Sequence, residues 1–292
     1  MKLEVVSHVN GDDDLIEAWL IYYLRLGVSS FHLIVHGTPE ENSRLYAIKT
    51  SYPVVIEETY EGQFNSEEKK RRLNSLLASK RGRWLLLVDS DEFVEFPYAI
   101  RTTIRMLSLV RRTALFAPMV QHLTPDGSLD TPERIADPFR TFPLCSVDLY
   151  QKMGVRAAID KYPLFFCTGR TALQDGGNHS CPDGNVTTSF VQGVTHHFKF
   201  RKSVSRRLDA RIHSTHPWRH ESVGYQEYLE THANRLPIQG AFPYSRGELF
   251  RRGLLRRAAL ATGFRYLQRA AAAAWAPAVL KPRNGSSASE KR

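Results

Sequence analysis

Five consecutive apolar residues, Trp84-Leu85-Leu86-Leu87-Val88, run straight into Asp89-Ser90-Asp91-Glu92. A run of this length without polar interruption suits a strand buried on both faces, as in a parallel sheet whose crossovers cover it with helices. Carboxylates at its C-terminal end then lie where open α/β sheets bind ligands, in the crevice beyond the strand ends. Crowded like charges are costly there unless a cation offsets them. A hard divalent ion does so, using one or two protein carboxylates and completing its shell with substrate phosphates. The D-x-D spacing of Asp89 and Asp91 therefore reads as a site for a metal held against a diphosphate. The plainer reading is that Asp89 caps a turn and Asp91-Glu92 open a helix.

The sequence upstream alternates as such a sheet requires. Strands are expected at 3–9, 31–35, 53–56 and 84–88, and helices at 15–26, 40–51 and 66–80. Gly11-Asp12-Asp13-Asp14 offers a loop and an N-cap, with acids in the first turn. Leu15, Ile16, Trp19, Leu20, Tyr23 and Leu24 share one helical face, which Gly27 ends as a C′ glycine would. After residue 97 the rhythm changes. A helix is expected at 100–110, a strand at 114–120, a Pro-, Asp- and Thr-rich loop at 121–140, short strands at 147–153, 164–167 and 189–194, and helices at 203–211 and 225–234. The expected organisation is an α/β domain over 1–240 with a doubly wound, mostly parallel sheet and helices on both faces. A basic amphipathic helical extension over 241–281 and a disordered tail over 282–292 follow.

A chain of 292 residues has ample length for a core. It has no apolar run long enough to span a membrane and no signal-peptide pattern at its start, so a cytoplasmic location is expected. Cys145, Cys167 and Cys181 form no CxxC pair and read as buried thiols rather than a disulfide framework or a structural zinc site. The net charge of +10 is weighted toward arginines after residue 203. Arg251-Arg252-Gly253-Leu254-Leu255-Arg256-Arg257 and the apolar residues after it suit a helix lying on an anionic membrane, so peripheral contact with the inner membrane face is expected through this arm. The charge also admits a basic nucleic-acid-binding protein. With no zinc finger, aromatic RNA-binding motif or helix-turn-helix in the sequence, nucleic acid is not the expected partner.

Histidines supply the other candidates, since neutral imidazole is both a common metal ligand and an acid/base at neutral pH. His179 lies in the glycine-rich stretch Gly176-Gly177-Asn178-His179-Ser180, where backbone and ligand can approach closely. His196-His197 follow an apolar run and precede Lys199, Arg201, Lys202, Arg206 and Arg207, basic groups able to stabilise a leaving diphosphate.

Four segments in order resemble the family 2-like glycosyltransferases of the GT-A fold, specifically a bacterial branch related to family 92. Residues 15–28, ending Tyr22-Tyr23-Leu24-Arg25-Leu26-Gly27-Val28, resemble the family's first helix. Gly82-Arg83-Trp84 through Asp89-Ser90-Asp91-Glu92-Phe93 resembles its G-x-W-x-x-x-x-D-x-D-E motif. Gly177-Asn178-His179-Ser180 and His197-Phe198-Lys199-Phe200 resemble two later segments. The likeness spans roughly residues 3 to 235. It implies a GT-A-like fold and a metal-dependent transferase that moves a sugar, with inversion, from a nucleotide-sugar donor to a hydroxyl of a glycan or lipid-linked glycan. It also implies Mn²⁺ or Mg²⁺ at Asp89, Asp91 and His197, and donor contacts from Asn10, Asp89, Lys199 and Arg201. Inversion needs a base for the acceptor hydroxyl. The candidates are Asp175 and Asp183, which flank His179, with Asp148 and His179 itself. Two loops depart from the pattern: Val9-Asn10-Gly11 stands where the family has Arg-Asn-Glu, and 36–43 replaces its D-N-x-S-x-D-G-T. A non-catalytic member of the fold is the alternative these departures suggest.

Overall fold

The computed structural model describes residues 2–182, 191–212 and 219–255. Its first half contains β1 (Glu4–Val9), α1 (Ile16–Arg25), β2 (Ser30–His36), α2 (Ser43–Ile48), β3 (Val54–Tyr60), α3 (Ser66–Ala78), β4 (Arg83–Leu87), β5 (Glu92–Glu95) and α4 (Ile100–Leu109). The remainder contains β6 (Ala114–Leu115), β7 (Met119–Leu123), α5 (Pro138–Thr141), β8 (Leu144–Ser146), α6 (Leu149–Lys152), β9 (Leu164–Cys167), β10 (Val194–His197), α7 (Val204–Ile212), α8 (Arg219–Thr231), β11 (Phe242–Pro243) and α9 (Arg246–Arg251).

The first sheet has the order β3-β2-β1-β4-β9-β6. Strands β3, β2, β1 and β4 are parallel, and β9 runs antiparallel between β4 and β6. The two-residue period of a strand sorts its side chains between two cores. Val5 and Val9 of β1, with Trp84 and Leu86 of β4, pack with Trp19, Leu20 and Tyr23 of α1. Val6, Leu85 and Leu87 pack on the other face with Leu73 and Leu77 of α3. The α/β class with a mostly parallel sheet and helices on both faces is the class the chain forms.

Beyond β4 the chain builds a second sheet, β11-β8-β7-β10-β5, which was not anticipated. The strand expected at 114–120 is cut at Pro118, which has no N–H to donate to a ladder. Ala114–Leu115 stays in the first sheet and Met119–Leu123 enters the second. Within 147–153, Leu149–Lys152 forms α6 and no strand appears. The buried side chains there, Leu149, Tyr150 and Met153, recur at helical rather than alternating spacing. Of the strand expected at 189–194, residues 189 and 190 lie outside the described residues, and β10 runs Val194–His197. Phe242, Leu249 and Leu255 share a core with Val120, Cys145 and Val194, so the described part of the segment after 240 packs into the second sheet. The arm from 256 onward, with its expected membrane contact, lies outside the described residues. Among those described, no helix is long and apolar enough to cross a membrane. The three cysteines are buried thiols.

Candidate active site

The acidic segment is the link between the two sheets. The chain leaves the first at Leu87 and enters the second at Glu92. A tight turn closes between them, with Glu92 N–H donating to the Asp89 carbonyl at 3.0 Å. Glu92 therefore opens a strand, and no helix follows Asp91. Aromatic residues of α1, legible in the sequence only as core, hold this turn by their polar ends. Trp19 Nε1 donates to the Asp89 carbonyl at 3.0 Å, Tyr23 Oη to the Glu92 carbonyl at 3.0 Å and Tyr22 Oη to the Val94 carbonyl at 3.0 Å. Ser7 Oγ donates to the Val88 carbonyl at 2.6 Å, and Ser90 Oγ donates to Asp12.

The turn lines a cavity of about 240 Å³ between the sheets. β1 and its exit loop contribute His8, Asn10 and Asp12; α3 contributes Lys69; the turn contributes Asp89, Asp91 and Glu92. Lys161, His179, His197 and Lys199 come from loops and β10, Arg207 and Arg211 from α7, and Glu221 from α8.

Each acidic residue of the turn is paired. Lys69 Nζ lies 2.7 Å from Asp89 Oδ1, and Lys161 Nζ lies 3.6 Å from Asp89 Oδ2 and 2.6 Å from Glu92 Oε1. Burial pushes the Asp89 carboxyl up, but these two ammonium groups outweigh it and hold Asp89 at about 2. Burial raises Glu92, which Lys161 only partly offsets. Asp91 Oδ2 stands 3.4 Å from His197 Nε2 and 3.7 Å from Arg207 Nη1. His197, then Arg207 and Arg201, overcome burial and keep Asp91 well below the usual carboxylate range.

Sheet register explains the Asp91–His197 pairing. In β10, His197 lies opposite Glu92 of β5 and Gln121 of β7. Gln121 Oε1 accepts from His197 Nδ1 at 2.9 Å, so Nε2 is the atom turned toward Asp91. Metal-ligating histidines are commonly held this way, with the far ring nitrogen hydrogen-bonded.

A divalent cation fits this pair. In an octahedral shell with bonds of about 2.1 Å, neighbouring donors stand about 3 Å apart, close to the 3.4 Å measured here. Among the described residues no group of three or more His, Cys, Asp or Glu side chains is arranged to hold a metal. Any such ion would take two protein donors and draw the rest of its shell from substrate oxygens and water. Asp89, expected as a ligand, is instead held by Lys69.

The other expected site residues separate into those facing the cavity and those turned from it. Asn10 lines it and lies 2.9 Å from His36 Nδ1, while His36 stacks on Tyr60 at 4.6 Å. The loop that departs from the family pattern thus opens with an imidazole, His36, where the pattern opens with an acid. Lys199 lines the cavity, packs over the Tyr225 ring at 4.0 Å and is lowered to about 8 by burial. Arg201, expected on the donor, is fully buried and does not face the cavity. It pairs with Asp12 at 2.5 Å and with Asp14 at 3.0 Å and donates to the Phe198 carbonyl. Asp12 and Asp14, expected to cap α1, are committed to this arginine, and α1 has no side-chain cap.

Asp175 is also turned from the cavity. Its Oδ1 accepts from the N–H groups of Gly177 and His179 at 2.9 and 3.0 Å, which shapes the loop around Asn178 at φ +55°. Burial raises its carboxyl, but the bonds from His179, Ser180 and Gly177 outweigh burial and lower it, so it is a weaker base. His179 lines the cavity, with Nδ1 2.9 Å from the Asp160 carbonyl, and burial followed by Lys161 lowers it to about 4, leaving the ring neutral at pH 7. Asp148 accepts from Ser146 and pairs with Lys152 beside a second cavity. Asp183 and the Arg206 side chain lie outside the described residues.

Lys69, Lys161, Arg211, Gln121 and Glu221 were missed. Of these, Lys69 carried a signal: it shares the i, i+4 row of Leu73 and Leu77, the apolar stripe of α3. The remainder reach the site through tertiary pairing.

No family model matches the chain. No curated protein matches it by sequence. Among solved structures, S. aureus TarS 1–349 in complex with UDP-GlcNAc is 11% identical, covers 80% of this chain and 72% of its own, and gives a TM-score of 0.34. The same protein in complex with UDP is 13% identical, covers 86% and 74%, and gives 0.35. The inositol-1-phosphate CTP transferase from T. maritima is 11% identical, covers 57% and 68%, and gives 0.26. At these values the likeness assigns no residue a role.

Proposed function

We propose that the chain is a glycosyltransferase that transfers a sugar from a nucleotide-sugar donor to a hydroxyl of a glycan or lipid-linked glycan. In this reading Asp91 and His197 hold Mn²⁺ or Mg²⁺ and the product is inverted. The observation that carries it is the cavity at the end of β4, where the Asp91–His197 pair faces Lys199 and Arg207. Charge balance supports the cation. Among the described lining residues six carboxylates face five Lys and Arg side chains. A lining so close to neutral suits a diphosphate that arrives with its counter-ion better than a bare dianion.

When bound, the ion neutralises charge on the diphosphate as it leaves. Lys199 and Arg207 donate to the departing oxygens from largely buried positions, where such contacts are strongest. Asn10 and His8, at the end of β1, face the nucleoside. Lys69 and Lys161 keep Asp89 ionised as a hydrogen-bond acceptor for the ribose.

The ion pairs also favour a second reading, in which Lys161, Lys199 and Arg207 neutralise the diphosphate without a metal. A thermal-shift screen of UDP-, GDP- and dTDP-sugars with Mn²⁺ and with EDTA tests both. Stabilisation only with Mn²⁺ supports the first reading and equal stabilisation in EDTA the second. No stabilisation by any nucleotide sinks the transferase assignment.

A further inference from the structure

The expected bases leave the acceptor proton unassigned, because Asp175 is spent on its own loop. Glu221 is different. α8 carries it in its first turn, and it lines the main cavity with its side chain 13% exposed. Its Oε1 accepts from Tyr225 Oη at 2.6 Å, while Lys199 Nζ stays 3.6 Å away. Among the described carboxylates facing the cavity, Asp12, Asp89 and Glu92 have Lys or Arg nitrogens at 2.5 to 2.7 Å, Asp91 lies beside His197 in the pair assigned to the cation, and Glu41 accepts from the Thr38 N–H on the outer loop, whereas the ion pair of Glu221 with Lys199 is the looser one at 3.6 Å. Glu221 is thus held in place chiefly by a neutral phenol donor, with its carboxylate facing the cavity.

Its position also fits. Tyr225 packs 5.8 Å from Tyr150, and Tyr150 lines both the main cavity and the second cavity beside 155–159. Gly224 presses on Val155 of that second cavity, since a Cβ there would meet Val155 Cγ2 at 3.2 Å. α8 is thus seated where the two cavities meet.

We propose that Glu221 is the general base of the transfer and that the acceptor enters along the second cavity. This rests on the glycosyltransferase reading. The acceptor oxygen forms a bond to the anomeric carbon and its proton passes to Glu221. The bond from that carbon to the diphosphate oxygen breaks, and its electron pair leaves with the nucleoside diphosphate. Tyr225 is a positioning residue that holds the carboxylate.

Nucleoside diphosphate release from UDP-, GDP- and dTDP-sugars, with Mn²⁺ and water as acceptor, reads the step. Glu221→Gln, which can still accept from Tyr225, should lose at least about 100-fold in rate while binding the nucleoside diphosphate within about threefold of the parent by calorimetry. Glu221→Ala should be slow and regain rate in formate, which supplies a carboxylate. Parent-like release by Glu221→Gln overturns the assignment, as does an equal loss of rate and affinity or an Ala variant that formate does not rescue. If the parent protein binds no nucleotide at all, the transferase reading itself fails and takes this one with it.

Discussion

The indole N–H of Trp19 donates to the Asp89 carbonyl at 3.0 Å, across 70 residues of sequence. Trp19 is fully buried in the core between α1 and the first sheet, so packing there fixes where the acidic turn sits. Trp19→Phe keeps most of the apolar contact and removes one of the two hydrogen bonds to the carbonyl, leaving the one from the Glu92 N–H. It should cost about 1 kcal/mol for the lost hydrogen bond, read by urea unfolding, and should weaken nucleotide binding several-fold.

Arg201 and Arg207 both bond Asp12, yet they should respond differently to removal. Arg201 is fully buried against Asp12 and Asp14. Arg201→Met leaves both carboxylates without it and should cost about 3–5 kcal/mol. Arg207 lies at the cavity wall, 2.7 Å from Asp12 and 3.7 Å from Asp91. Arg207→Met should cost about 1 kcal/mol in stability and act mainly on nucleotide affinity. Paired unfolding and calorimetric measurements on the two variants separate these roles.

Glu95 ties β5 to β10 through His196 and to the C-terminal segment through Tyr244 and Arg246. Burial raises its carboxyl, but the hydrogen bonds from those three residues outweigh burial and hold it at about 2. A depressed carboxyl stabilises the fold above its unfolded value, and that contribution is lost as pH falls from about 4.5 toward 2, a change of about 2–3 kcal/mol. Glu95→Gln should be less stable than the parent at pH 7 and should lose less on acidification, measured as urea midpoints between pH 7 and pH 3.

The first sheet was legible because its signals are long. β1, β2 and β4 are five to seven residues long with three or four apolar residues each, and α1 and α3 show helical spacing. The second sheet was not, because β8 and β11 have two or three residues each, too few for any period to register. The same limit governs the site. Asp89 and Asp91 stand in a local motif, and His197 in a segment that could be matched. Gln121 reaches His197 only through strand register, and Arg201 reaches Asp14 across 187 residues. Arg201 therefore read as a donor-contacting cation, although its five donors suit a buried pair of carboxylates.

The central claim is that Asp91 and His197 join a divalent cation to a diphosphate. Isothermal titration of UDP, GDP and dTDP into the parent protein and Asp91→Asn, each with Mn²⁺ and with EDTA, tests it most directly. The account predicts that one nucleotide binds the parent at least about tenfold more tightly with Mn²⁺, a coupling of about 1.4 kcal/mol, and that Asp91→Asn abolishes this difference while remaining folded. Equal Mn²⁺ dependence in the parent and in Asp91→Asn would contradict it.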